Sequence, residues 1–315
     1  MNKKKLVAII TVIIILILLV IPMTITIIAY NANFNIRVEV TNEQGSLQFE
    51  DFNMERFPVE FASNNNQTLR GYIYSNTEDI SNKKALIVFS HGYLGTHSDY
   101  LDQIDYFTQN NYLVLAYDNT GSGISDGETL IGLAQSPLDL DAALTFAEND
   151  ETLSKYKILL YGHSWGGYAV AAVLNYNHDV TAIVSRSGFS NSRDMLVEYG
   201  SNLYGDFIQI LSPYAYVYEK VKFGNAVDLN GIKGINNSPD TEVLLLHSED
   251  DPVISLENSL LIHKDQYVNP QRIHTIQYTN KGHDVVLTDT STENNEELDL
   301  NVMQDILNFY DNAIK

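Results

Sequence analysis

The sequence predicts an α/β fold: a mostly parallel central sheet, helices on both faces, and one transmembrane helix in front. Three observations predict it. Short, continuous apolar runs alternate with helical patterns, as buried parallel strands and their crossover helices require. The pentapeptide Gly162-His163-Ser164-Trp165-Gly166 joins one such run to a helical pattern. The first thirty residues carry three lysines and then an unbroken apolar stretch.

The strands read as follows. Phe57–Phe61 alternates, Asn64–Gln67 turns, and Thr68–Tyr74 alternates again, an antiparallel hairpin. Ala85–Ser90, Tyr112–Tyr117, Lys157–Tyr161, Val180–Val184 and Glu242–Leu246 are apolar runs suited to strands buried on both faces, and Ile273–Tyr278 is the last strand. Between them, Ser136-Pro137 reads as a capping serine followed by proline at the first helical position. Gly167–Leu174 and Leu300–Ile314 are further helices. Residues 189–240 are longer than a crossover needs and rich in tyrosine and aliphatic side chains. They read as a helical lid insertion, with an ordinary crossover helix and long loops as the alternative.

Lys3-Lys4-Lys5 precede an apolar run from Leu6 to about Ala29. About 24 residues at roughly 1.5 Å each give about 36 Å, enough to span a bilayer core with some tilt. The lysines place the N-terminus in the cytoplasm and the rest of the chain outside the cell membrane. The alternative is a cleaved signal peptide, against which stand the length of the run and the poor cleavage site at Ala29-Tyr30-Asn31-Ala32. The expected organisation is an anchor over 1–30, a tether (or early edge strand) over 31–54, and one domain over 55–315 with a lid at about 189–240.

Composition narrows the chemistry. The chain has no cysteine, which excludes disulfides and thiolate catalysis. Its net charge is −21, and without the three N-terminal lysines 16 basic residues face 40 acidic ones, or −24. Such a surface disfavours nucleic acid as a partner. No two histidines stand at metal-ligand spacing, so neither a metal nor a cofactor is expected.

The pentapeptide fits G-x-S-x-G, the nucleophile elbow, in which a serine sits on a tight strand-to-helix turn with its hydroxyl presented. A serine hydroxyl needs a base, and the base an orienting acid. Glu249-Asp250-Asp251 follows one strand and His283 follows the next, giving the order Ser164, Asp251, His283, with Asp250 as the alternative acid. Asp118, at another strand end, reads as a turn-stabilising carboxylate. His91 and His163 read as packing behind the oxyanion loop and the elbow.

Residues 55–315 resemble the α/β-hydrolases, and most of all the branch of monoacylglycerol lipases, lysophospholipases and serine aminopeptidase-like proteins. The resemblance rests on His91-Gly92-Tyr93-Leu94-Gly95, Tyr117–Ser125, Gly162–Gly167, Asp251-Pro252-Val253 and Gly282-His283. It implies Ser164 as nucleophile, Asp251 as orienting acid, His283 as general base, and an oxyanion hole from the backbone N–H groups of Tyr93 and Trp165. It departs from the family pattern at Thr120, where arginine is usual, and at Ser248, where glycine is usual. The implied activity is cleavage of a small-molecule carboxylic ester, and the membrane anchor, by placing the site near lipid, favours acylglycerol- or lysophospholipid-like esters. The alternatives are a peptidase or acyltransferase with the same triad, or a non-catalytic binding protein.

Overall fold

The computed structural model describes residues 2–40, 47–288 and 297–315. Part of the expected tether, residues 41–46, lies outside them. The chain opens with a long helix, α1 (Lys3–Phe34), which contains a π-helical stretch at Leu16–Val20. Among the described residues it is the one helix long and apolar enough to cross a membrane.

An eight-stranded sheet follows, in the order β1-β2-β4-β3-β5-β6-β7-β8. Its strands are β1 (Glu55–Ala62), β2 (Thr68–Ser75), β3 (Leu86–Ser90), β4 (Leu113–Tyr117), β5 (Ile158–His163), β6 (Val180–Arg186), β7 (Glu242–Ser248) and β8 (Ile273–Tyr278). The β1–β2 hairpin is antiparallel and β2 joins β4 antiparallel; from β4 to β8 every pairing is parallel. Every strand read from the sequence is present. The helices are α2 (Leu101–Gln109), α3 (Gln135–Asn149), α4 (Trp165–Ala172), α5 (Ser192–Tyr204), α6 (Ser212–Phe223), α7 (Gly231–Asn237) and α8 (Leu300–Ala313).

Two cores result from the two-residue period of the strands. Leu86, Val88, Leu113, Leu115 and Leu160 face α3, α4 and α7. Their neighbours Ile87, Phe89, Val114, Ala116 and Leu159 face α2 and α8 on the other side. The central strands are buried on both faces, which is why they lack polar alternation.

The start of α3 differs from the expected one. The helix begins at Gln135, and Ser136 and Pro137 lie inside its first turn. The first four helical N–H groups have no intrahelical partner, so proline removes no intrahelical hydrogen bond anywhere in that turn. Ser136 is buried beneath the turn, with its hydroxyl 3.4 Å from that of Ser90.

The 189–240 segment contains α5, α6 and α7 between β6 and β7. Gly231 and Gly234 of α7 approach Ala171 so closely that α7 lies directly on α4. It is therefore the crossover helix, and α5–α6 are the additional pair at the place of the expected lid. The last turns of α1 pack on that pair. The Tyr30 hydroxyl donates to Glu219 of α6 at 3.0 Å, in a buried contact. A Cβ on Gly132 would come within 1.8 Å of that hydroxyl, so only glycine leaves room for Tyr30 there. Beyond the helix, Arg37 donates to the carbonyls of Gly123, Ser125 and Gly127, and Val38 forms a parallel bridge to Ser122. Residues 31–38 are thus docked on the domain.

Leu160 is fully buried at the centre of the sheet. Leu160→Ala is expected to destabilise the fold by about 2–5 kcal/mol, the cost of lost burial plus a cavity. Urea denaturation followed by circular dichroism measures this.

Candidate active site

The site lies at the carboxyl ends of the parallel strands, where an open α/β sheet leaves its loops free to converge. Ser164 stands between β5 and α4 with φ 55° and ψ −111°, in the left-handed half of φ space that a non-glycine residue rarely enters. Its neighbours make this turn possible. A Cβ on Gly166 would sit 1.9 Å from the Ser90 carbonyl oxygen, and one on Gly162 would sit 2.1 Å from that of Gly166. The Ser164 N–H donates to the Arg186 carbonyl at 2.8 Å, which ties the turn to β6.

Trp165 is the first residue of α4, so its backbone N–H is one of the four with no intrahelical acceptor. Its indole N–H donates to the Leu133 carbonyl at 2.7 Å. Ser164, Trp165 and Tyr93 share the wall of one apolar pocket, with Phe34, Met195 and Tyr199. Positive partial charge at the start of α4 meets this pocket, which favours an anion forming beside Ser164.

Asp251 follows β7 and is buried. One of its oxygens accepts the Val253 and Ile254 N–H groups at 2.8 and 3.0 Å. His283 Nδ1 lies 2.8 Å from the other and donates to it. Burial alone would push the Asp251 carboxyl up; His283 and the two N–H groups outweigh it and leave the carboxyl below its ordinary range. A carboxylate so placed fixes the imidazole tautomer, with the proton on Nδ1 and a lone pair on Nε2. Asp250 does different work: it is exposed and accepts the Lys281 and Gly282 N–H groups at 3.2 Å each. Ser248, in the position where glycine is usual, donates to Asp250 and accepts the Lys281 N–H. The pair shapes the loop that carries His283.

The His283 ring packs on His163, the residue before the elbow serine, with ring centroids 4.9 Å apart. His163 is buried and Tyr100 hydroxyl lies 2.9 Å from its Nδ1. Burial, then Arg186 and His283, hold its pKa well down, so it stays neutral. His91 is likewise buried and neutral, its Nε2 accepting the Asn119 N–H at 2.9 Å. Thr120, where arginine is usual, binds the buried Asp139 through its N–H at 2.7 Å and its hydroxyl at 2.9 Å.

Comparisons with known proteins agree with this fold. Residues 81–231 match the family model described as serine aminopeptidase, S33 (Hydrolase_4). An esterase of Pyrococcus furiosus has a similar structure, with a TM-score of 0.65 and 16% identity over 89% of this chain and 99% of that one. The chain has the α/β-hydrolase fold. Among curated relatives, a polyketide transferase of Aspergillus fumigatus is 32% identical over 142 residues, 44% of this chain and 47% of its own length. Protein bem46 of Schizosaccharomyces pombe is 27% identical over 202 residues, 62% of this chain and 66% of its own. The matches therefore span between 47% and 66% of these relatives.

Three residues that support the site were not expected from the sequence. Arg186, fully buried at the end of β6, pairs with Asp284, the residue after His283. Ser187, with φ 50°, donates its hydroxyl to the His283 carbonyl at 2.7 Å. Glu198 of the lid accepts the Ser255 N–H at 2.7 Å and the Asn258 side chain at 2.6 Å, which links lid to acid loop. The positive signal in the sequence was Arg186 itself, a charge ending an otherwise apolar strand.

Asp118 accepts the His97 N–H at 2.8 Å, the His97 ring at 2.7 Å and the Ile124 N–H at 2.9 Å. Burial raises its pKa, but His97 more than offsets this and brings it from 3.8 down to about 2. A lowered folded pKa means that the carboxylate stabilises the fold above the unfolded value and loses that contribution as pH falls. Wild-type stability is expected to drop by about 2 kcal/mol more than that of Asp118→Asn between about pH 5 and pH 2. Denaturant titrations of both proteins across that range check it.

Proposed function

We propose that this protein is a membrane-anchored serine esterase, with Ser164 as nucleophile, His283 as general base and Asp251 as orienting acid. The observation that carries the reading is a strained, pocket-facing Ser164 together with His283, an imidazole held by a buried carboxylate and packed on His163, the residue before the serine. His283 Nε2 takes the Ser164 proton as Oγ bonds to the ester carbonyl carbon. The N–H groups of Tyr93 and Trp165 hold the resulting oxyanion, each such donor lowering the barrier by roughly 2.7–4 kcal/mol. The C–O bond to the alcohol breaks, and His283 returns its proton to the leaving oxygen. Water then attacks the acyl-serine, giving its proton to His283; the carboxylic acid leaves and Ser164 recovers the proton.

The helix α1 is read as a retained single-pass anchor with Lys3–Lys5 on the cytoplasmic side and the hydrolase domain outside the cell membrane. That address, with the apolar pocket, favours an acylglycerol or lysophospholipid-like ester. Peptide hydrolysis or acyl transfer by the same residues is the second reading. It is favoured by the match to the serine aminopeptidase model and by the similarity to a polyketide transferase.

Hydrolysis of p-nitrophenyl butyrate tests the roles. Ser164→Ala is expected to lower kcat by about 10⁴-fold or more, and Asp251→Asn by on the order of 10³–10⁴. Asp250→Asn is expected to stay within about tenfold of wild type. Faster turnover of peptide p-nitroanilides than of esters would replace the esterase reading with the peptidase one.

A further inference from the structure

Three cavities lie in succession along one stripe of α1. The outermost is bounded by Leu19, Val20 and Met23 on one side and by Pro213, Tyr214 and Val217 of α6 on the other. The middle one lies between Thr26, Ala29 and Asn33 of α1 and Leu196, Gly200 and Ala215 of the lid. The innermost contains Ser164. Phe34 and Tyr199 belong to the walls of both the middle and the inner cavity. Along α1, positions 19, 23, 26, 30 and 34 recur at steps of three and four, the spacing of a single helical face.

That face descends from bilayer depth to the nucleophile. A hydrocarbon core of about 30 Å takes about 20 helical residues; counted from Leu6, it ends near Ile25. The outermost cavity therefore lies within the outer leaflet, and the middle one begins where α1 leaves it. The Tyr214 hydroxyl donates to the Leu18 carbonyl, which fixes the start of α6 at the same depth. The lid also exposes Phe207, Ile210, Val217 and Val221, side chains that water disfavours and lipid accepts. The middle cavity has mostly apolar walls, since Tyr30 and Glu219 satisfy each other.

We propose that the cavity between α1 and the lid is an acyl-chain site, with Phe34 and Tyr199 as its gate to Ser164, and that the substrate is a long-chain acyl ester drawn from the outer leaflet along α1. The anchor is then a wall of the active site as well as a tether. The proposal rests on the reading of Ser164 as the nucleophile of an anchored esterase.

The test uses the full chain in phosphatidylcholine vesicles, with p-nitrophenyl palmitate and butyrate as substrates. Ala29→Phe and Ala215→Phe each fill the middle cavity, from opposite walls, and leave Trp165 as the sole tryptophan. Each is expected to lower the palmitate-to-butyrate ratio of kcat/KM by about tenfold or more. The second readout is quenching of Trp165 fluorescence by 9,10-dibromostearate, expected in wild type and weakened about tenfold in apparent affinity by either substitution. An unchanged ratio in a variant with wild-type Tm overturns the proposal, as does quenching that neither substitution weakens. If wild type turns over neither ester, the reading of Ser164 fails instead, and the quenching alone decides whether the cavity holds an acyl chain.

Discussion

The strained turn at Ser164 is the constraint on which the rest of the site depends. A serine at φ 55° persists only because its surroundings hold it there. Gly162 and Gly166 let β5, α4 and the end of β3 approach to distances no side chain would permit. The Arg186 carbonyl holds the Ser164 N–H, and the Arg186 side chain holds Asp284, so one residue of β6 braces both the serine turn and the histidine loop. Ser187 adds a hydrogen bond to the His283 carbonyl. The serine and histidine loops are thus braced on one strand end, and a shift of β6 would move both together.

The lid and the N-terminal helix are joined in the same manner. Tyr30 reaches Glu219, Tyr93 donates to the Asn33 carbonyl at 2.5 Å, and Phe34 reaches the pocket that contains Ser164. Tyr93 therefore has two connections: its backbone follows β3 toward the pocket, and its hydroxyl holds the end of α1. The strongly acidic surface gives the domain no attraction to anionic lipid, so the proposed membrane attachment rests on α1 and on the apolar side chains that α5 and α6 expose.

What the sequence made legible was local. The apolar runs of β3 to β7 identify themselves because both faces are buried, and the elbow announces itself through two glycines flanking a serine. The contacts that brace the site were not legible, because Arg186 and Asp284 stand 98 positions apart and Tyr30 and Glu219 stand 189 apart. Proline at position 137 misled for a subtler reason: it marks a first turn without saying which of its residues it occupies. The end of α1 was hidden because Asn31, Asn33 and Asn35 look like a linker, whereas the Asn31 and Asn33 side chains bond Tyr218 and Tyr204 of the lid. The departure at Thr120 was visible in sequence, but its partner Asp139 was not.

The central claim is that Ser164 is a nucleophile presented by a strained turn into an apolar pocket. The most direct measurement is reaction of the full chain with a fluorophosphonate, followed by tandem mass spectrometry of its peptides. The account predicts one stoichiometric adduct, on Ser164, formed more slowly by orders of magnitude when His283 is replaced by alanine. An adduct on another residue, or none on a chain shown to be folded, would contradict it.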